Sequence, residues 1–158
     1  AVTRSIRPVE PTDLGEIFTL QRAAFVDEAR LYETPFVPAL DETVDEFTER
    51  MQASNSWAAM QGNRIVGAVS LRTGRCGVAN VERLMVAPDC RGQGISSVLL
   101  QVVEDAARLA GRQSLQLTVG ELATNNRAIY RHLGWVEESS EYLVGFEHVL
   151  LHVMVKTF

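Results

Sequence analysis

The chain has 158 residues, 46% of them hydrophobic and 22% charged, with a formal net charge of −5. These values fit one soluble globular domain over residues 1–158, which buries roughly 70% of its unfolded surface without help from a disulfide or a metal. They exclude a collagen-like fibre, a disulfide scaffold and a disordered tail. The acidic balance argues against a nucleic-acid partner, which needs a basic footprint. No apolar run reaches the ~18 residues of a membrane span, and the start AVTRSIRPVE lacks the basic and apolar halves of a signal peptide.

Ser5 to Val9 reads as a first strand, and Pro11-Thr12-Asp13 as a helix start capped by Thr12 or Asp13. Leu14, Ile17, Phe18, Gln21, Ala24 and Phe25 follow helical spacing, which predicts a helix to about Arg30. After the breakers Pro35 and Pro38, Thr43 with Glu46 three residues on forms a capping box for a second helix through Val44, Phe47 and Met51. A three-strand meander follows: Trp57–Gln61, Arg64–Arg72 and Val78–Ala87, with turns at Gly62-Asn63 and Thr73-Gly74-Arg75. The loop from Pro88 to Gly94 leads into the clearest helix, with Ile95, Val98, Leu99, Val102, Val103, Ala106 and Leu109 on one face and Gly111 at its end. Leu115, Leu117 and Val119 alternate as a half-buried strand. A short helix around Asn126–His132 stops at Gly134, and two strands close the chain, about Trp135–Tyr142 and His148–Lys156. The order implies an α+β fold with a mixed, mostly antiparallel sheet and about four helices.

Two cysteines, Cys76 and Cys90, stand outside any ligand spacing. No zinc or other metal site is expected, and the thiols suit a reducing cytoplasm. Cys90 reads as a loop-packed thiol. Arg91-Gly92-Gln93-Gly94-Ile95-Ser96 joins a strand to a helix N-terminus. The first helical N–H groups lack intrahelical partners and carry the positive end of the helix dipole. Glycines let a phosphate come close to the backbone, and Arg91 supplies a charge-assisted contact. The turn is neither a Walker A loop nor a GxGxxG motif, because Ser97 stands in the third glycine's place.

Leu84-Met85-Val86-Ala87-Pro88-Asp89-Cys90-Arg91-Gly92-Gln93-Gly94-Ile95-Ser96 resembles the motif of the GNAT superfamily of N-acetyltransferases. Asn126-Arg127-Ala128-Ile129-Tyr130-Arg131-His132-Leu133-Gly134-Trp135 resembles that family's second conserved segment, and the order of elements fits as well. The resemblance implies a sheet splayed into a V with acetyl-CoA in the cleft. The pantetheine arm would pair with the backbone of Leu84, Met85 and Val86, and the N–H near Val86 would polarise the thioester carbonyl. The pyrophosphate would lie on the N–H groups of Gly92, Gln93, Gly94, Ile95, Ser96 and Ser97. Tyr130 would protonate the departing thiolate. Ser96 stands where the family usually has Gly or Ala. Ala123 holds the position of the family's pantetheine-binding Asn, so Asn125 or Asn126 takes that contact or caps the helix.

For the base that takes the amine proton, Glu82 is the first choice, placed by strand period on one face with Leu84 and Val86; its bland reading is a partner for Arg83 or Arg64. Glu121 is a fallback. Thr118 stands where some protein N-terminus acetylating members carry a Glu, which counts against that substrate class. His132, His148 and His152 read as structural, although the last two share a strand face. Arg127 and Arg131 either meet the nucleotide end of the coenzyme or are surface charges. Residues 26–49 carry eight acids and one base, Arg30, a local −7 that either is a solvated face or attracts a cationic amine. The reading is an acetyl-CoA-dependent N-acetyltransferase acting on a primary amine of a small molecule or peptide by direct attack, with no cysteine nucleophile. The alternative is a non-catalytic acyl-CoA sensor on the same fold. The apolar last strand leaves a homodimer open.

Overall fold

Seven strands form one sheet in the order β1-β2-β3-β4-β5-β7-β6 in the computed structural model, which describes residues 4–158. The strands are β1 (Arg4–Pro8), β2 (Asn55–Gln61), β3 (Arg64–Thr73), β4 (Val78–Val86), β5 (Ser114–Gly120), β6 (Val136–Leu143) and β7 (Phe146–Thr157). All neighbours are antiparallel except β4 and β5. That parallel pair joins only at Val78–Ser114, Ala79–Leu115 and Asn80–Gln116. Beyond Asn80 the two strands part, so the sheet opens into the V that the resemblance implies.

The helices are α1 (Leu14–Ala24), α2 (Val26–Leu31), α3 (Pro38–Asp41), α4 (Val44–Gln52), α5 (Ile95–Leu109) and α6 (Thr124–His132). The single helix expected to run to Arg30 is broken at Phe25 (φ −97°, ψ 6°) into α1 and α2. Its start also differs. Asp13 makes no side-chain cap for α1; its carboxylate accepts from Glu10 N at 2.7 Å and from both Arg7 Nη atoms at 2.7 and 2.8 Å. The Thr43 capping box is present: Glu46 N donates to Thr43 Oγ1 at 3.2 Å and Thr43 N to Glu46 Oε1 at 3.0 Å. The short helix starts at Thr124 with Ala123 at its N-cap, so neither Asn125 nor Asn126 caps it.

The core follows from the alternation. Ile65, Val66, Val69, Leu99, Val103, Leu115 and Met154 are almost fully buried in one core with Ile17 of α1 and Phe47 of α4. Fully burying each such side chain contributes about 1.5–3 kcal/mol. Gly67 allows α5 to approach: a Cβ there would stand 2.9 Å from Ile95 Cγ2 and 3.1 Å from Leu99 Cδ1. Gly67 therefore marks the α5 face of the sheet. Ser70 marks the other, since its hydroxyl meets Met51 of α4 at 3.6 Å.

Candidate active site

β4 carries a bulge at the mouth of the V. Ser70 pairs with Glu82 and Ala68 with Met85, so one residue of β3 faces two of β4. Arg83 takes up the extra residue with φ +51°, a left-handed conformation costly for any residue with a Cβ. The bulge reverses the face on which later side chains lie. Glu82 shares its face with Ser70, Ala68 and Met85, whereas Val86 pairs with Gly67 on the α5 face. Strand period alone therefore misplaces Glu82 relative to Val86; the extra residue breaks the count of two.

Met85 and Val86 pair with Ala68 and Gly67 of β3 along one edge, and β5 has left the other by then. Just beyond, Gly92 and Gly94 have φ of +74° and +80°, with open space where a Cβ would be. Gly94 is the N-cap of α5, and Val98 N donates to its carbonyl at 3.2 Å as the first helical bond. The N–H groups of Gly92, Gln93, Gly94, Ile95, Ser96 and Ser97 have no acceptor among the described residues. Six aligned, unpaired amides running onto an unpaired strand edge fit a pyrophosphate followed by an amide-bearing chain. The Arg91 side chain is engaged elsewhere: it pairs with Asp27 and donates to Ala24 O at 3.0 Å, tying the turn to the α1–α2 junction. Arg4 reaches the same turn, donating to Gln93 O at 3.4 Å. Cys90 is buried.

Tyr130 lies on α6, which follows β5 on the other wall of the V. Its ring meets Trp135 edge-on at 6.1 Å and packs on the core. Burial pushes its hydroxyl up to about 12, so it stays protonated, a donor, at neutral pH. α6 is pinned through Glu137, which takes Arg127 Nη2 at 3.0 Å and also pairs with Arg131. Both arginines thus act as clamps on β6. His152 of β7 is half-buried, with Nδ1 3.9 Å from Glu137 and Nε2 buried without a hydrogen-bond partner; His148 is exposed. Asn125 and Asn126 are exposed and make no side-chain hydrogen bond among the described residues.

The face opposite α5 holds a charge cluster that the sequence shows only as an acidic stretch. Gln21 of α1, fully buried, donates to Ala39 O and to Glu42 Oε1, each at 3.0 Å. Arg50 of α4 donates to Glu42 at 2.9 and 3.3 Å and to Gln21 Oε1 at 3.0 Å. Burial pushes the Glu42 carboxyl up, but hydrogen bonds from Arg50 and Gln21, with the charges of Arg50 and Arg83, outweigh it and hold the group low. Arg83 comes within 3.6 Å of Glu42. Burial raises the Glu28 carboxyl of α2 above its ordinary value, against the pull of Arg83. Glu82 lies 3.9 Å from Arg72. Tyr32, after α2, presses its hydroxyl on Gly120 at the end of β5, 2.1 Å from where a Cβ would be, and accepts from Leu122 N at 3.3 Å. Sequence period missed Glu28 and Arg83 as site residues because neither forms a motif. The one available signal was a half-buried carboxylate amid exposed acids, and only packing reveals that. A groove of about 510 Å³ between α1, α3 and α4, lined by Phe18, Arg22 and Phe36, reaches this cluster only at Glu42.

A mixed sheet that opens beside a bulged strand, with a glycine-entered helix at the opening, defines the acetyltransferase class of α+β fold. Residues 22–158 match the acetyltransferase (GNAT) domain family, and the protein belongs to that family. Two solved structures share the fold. One is the ribosomal-protein-S18-alanine N-acetyltransferase of Escherichia coli, 18% identical over 98% of this chain and 94% of that one, TM-score 0.80. The other is the PaiA N-acetyltransferase of Thermoplasma acidophilum in complex with coenzyme A, 16% identical over 99% of both chains, TM-score 0.80. An IAA acetyltransferase of Azospirillum brasilense is 37% identical over 71 residues, 45% of this chain and 46% of that protein, so the match spans about half that relative's length. No helix among the described residues is long and apolar enough to cross a membrane.

Proposed function

We propose that this protein, working in the cytoplasm, transfers an acetyl group from acetyl-CoA to the primary amine of a small molecule or peptide. The observation that carries the reading is the run of free amides from Gly92 to Ser97 leading onto the unpaired edge of β4 at Val81–Val86. The coenzyme-A complex of the Thermoplasma neighbour supports it. The amides of this turn hold the pyrophosphate, and the backbone of Leu84, Met85 and Val86 holds the pantetheine arm, which fixes the thioester beside the bulge. The acceptor enters from the face that carries α1, α2 and α4. Its nitrogen forms a bond to the acetyl carbon while the carbon–sulfur bond breaks. The N–H near Val86 steadies the carbonyl oxygen, Tyr130 gives its proton to the leaving sulfur, and Glu82 takes the proton from the amine. Positioning two substrates at once supplies much of the rate.

One observation favours the binding-only alternative: Glu82 is turned away from Val86 by the bulge and faces Arg72 instead. Thiol release with a panel of amines, read beside calorimetry with acetyl-CoA, decides between them. Turnover of any amine supports the transferase. Heat of association without turnover of any amine supports the sensor.

A further inference from the structure

Arg83 is out of place as a structural residue. It occupies a left-handed conformation at the bulge, and its side chain is only 23% exposed. Yet its guanidinium makes no hydrogen bond among the described residues, and Nε is fully buried without a partner. The nearest carboxylate, Glu42, stands 3.6 Å away, beyond hydrogen-bond reach, and is already taken by Arg50 and Gln21. The ion pair with Glu42 therefore leaves Nε, a buried donor, without an acceptor, which is costly. Bulges re-aim side chains beside active sites, and this one aims a planar, five-donor fork from the strand that borders the proposed thioester site.

We propose that Arg83 anchors a carboxylate of the acceptor, so that the amine acetylated belongs to an amino carboxylate. This rests on the acetyl-transfer reading and narrows its substrate. The guanidinium fork matches a carboxylate in two parallel hydrogen bonds, which Glu42 does not provide here. The surrounding charges agree with a zwitterionic guest. Arg50 pairs with Glu42, although its Nη1 is also buried without a partner, Arg72 faces Glu82, and Glu28 of α2 makes no ion pair within 4 Å among the described residues. Two acids of the stretch are spent on arginines: Asp27 pairs with Arg91 and Arg30, and Glu42 with Arg50.

The test assays the standard amino acids and the α-amide of each, by thiol release, with the wild-type protein and with R83M and R83K. Circular dichroism checks folding, and calorimetry checks acetyl-CoA. The wild type should prefer the acid over its amide by roughly 30-fold or more in kcat/KM, since a site built to pair a group rejects the analogue lacking it. R83M should erase that preference, R83K should keep part of it, and acetyl-CoA affinity should stay within about twofold. A wild type that prefers amides, or an R83M variant that loses acid and amide equally, overturns the proposal. Should R83M not fold, R83Q carries the same comparison. Should no amine turn over, acetyl transfer fails by itself, and thermal shift with N-acetyl amino acids plus coenzyme A decides the anchor. A shift that R83K weakens supports it, and no shift in the wild type overturns it.

Discussion

The two faces of the sheet at the β4 bulge are built from different materials. On the α5 face the proposed cofactor site is main chain: six consecutive amides that need only glycines at 92 and 94 to present themselves. On the opposite face the acceptor side is side chain: Gln21, Glu28, Glu42, Arg50 and Arg83 come from α1, α2, the α3–α4 connection, α4 and β4. The first is local and exposed, and its geometry survives most substitutions. The second is assembled from distant residues and buried, so each member depends on the others.

The difference is broken most severely at Glu42. Glu42→Gln leaves two half-buried guanidinium groups without their shared anion and should cost about 3 kcal/mol, read from urea unfolding. The pH sign follows from its depressed folded carboxyl: below the ordinary carboxylate value of 4.5 the unfolded chain binds the proton first. The contribution is complete above that value and is lost as the pH falls through the folded one, so the variant's stability should fall less on acidification than the wild type's.

Tyr130→Phe tests the chemistry rather than either wall. Turnover should drop about 100-fold while acetyl-CoA affinity, held by main chain, is nearly unchanged. Equal loss of both makes Tyr130 structural. With the hydroxyl pushed up to about 12, kcat should show no alkaline fall from this group below about pH 11.

Gly120→Ala probes the seam between the two sides, where a methyl would meet the Tyr32 hydroxyl. It should cost about 2 kcal/mol in the same unfolding assay, and an unchanged midpoint means that Tyr32 swings away freely.

The smallest effects sharpen the main-chain claim. Ser96→Pro keeps the first turn of α5 but deletes one free amide, and should weaken acetyl-CoA binding about tenfold. Ser96→Ala should stay within about twofold by calorimetry. A larger loss for the alanine than for the proline overturns the reading of that site as backbone.

How much could be read in advance follows the same division. The α5 turn is legible because its geometry is written in contiguous residues, glycines at fixed offsets before an apolar helical face. Strand starts and ends fell within a few residues for the same reason: alternation and turn residues are local. The first helix was misjudged at Phe25, where apolar spacing continues through a break that only packing onto the sheet imposes. The face shared by Glu82 and Val86 is not legible, because the extra residue at Arg83 is invisible to a count of two. Asn125 and Asn126 carry cap chemistry, yet Ala123 holds the cap.

The sequence by itself determined the order of elements, the V-forming family resemblance and the glycine turn before α5, since each rests on interactions among near neighbours in the chain. Only the tertiary structure decided that Arg91 is spent on Asp27, that β4 bulges, and that Arg83 stands beside a carboxylate already satisfied by two other groups. Those outcomes depend on which charges reach one another across 29 to 64 residues of chain, and no local pattern encodes a competition among distant partners.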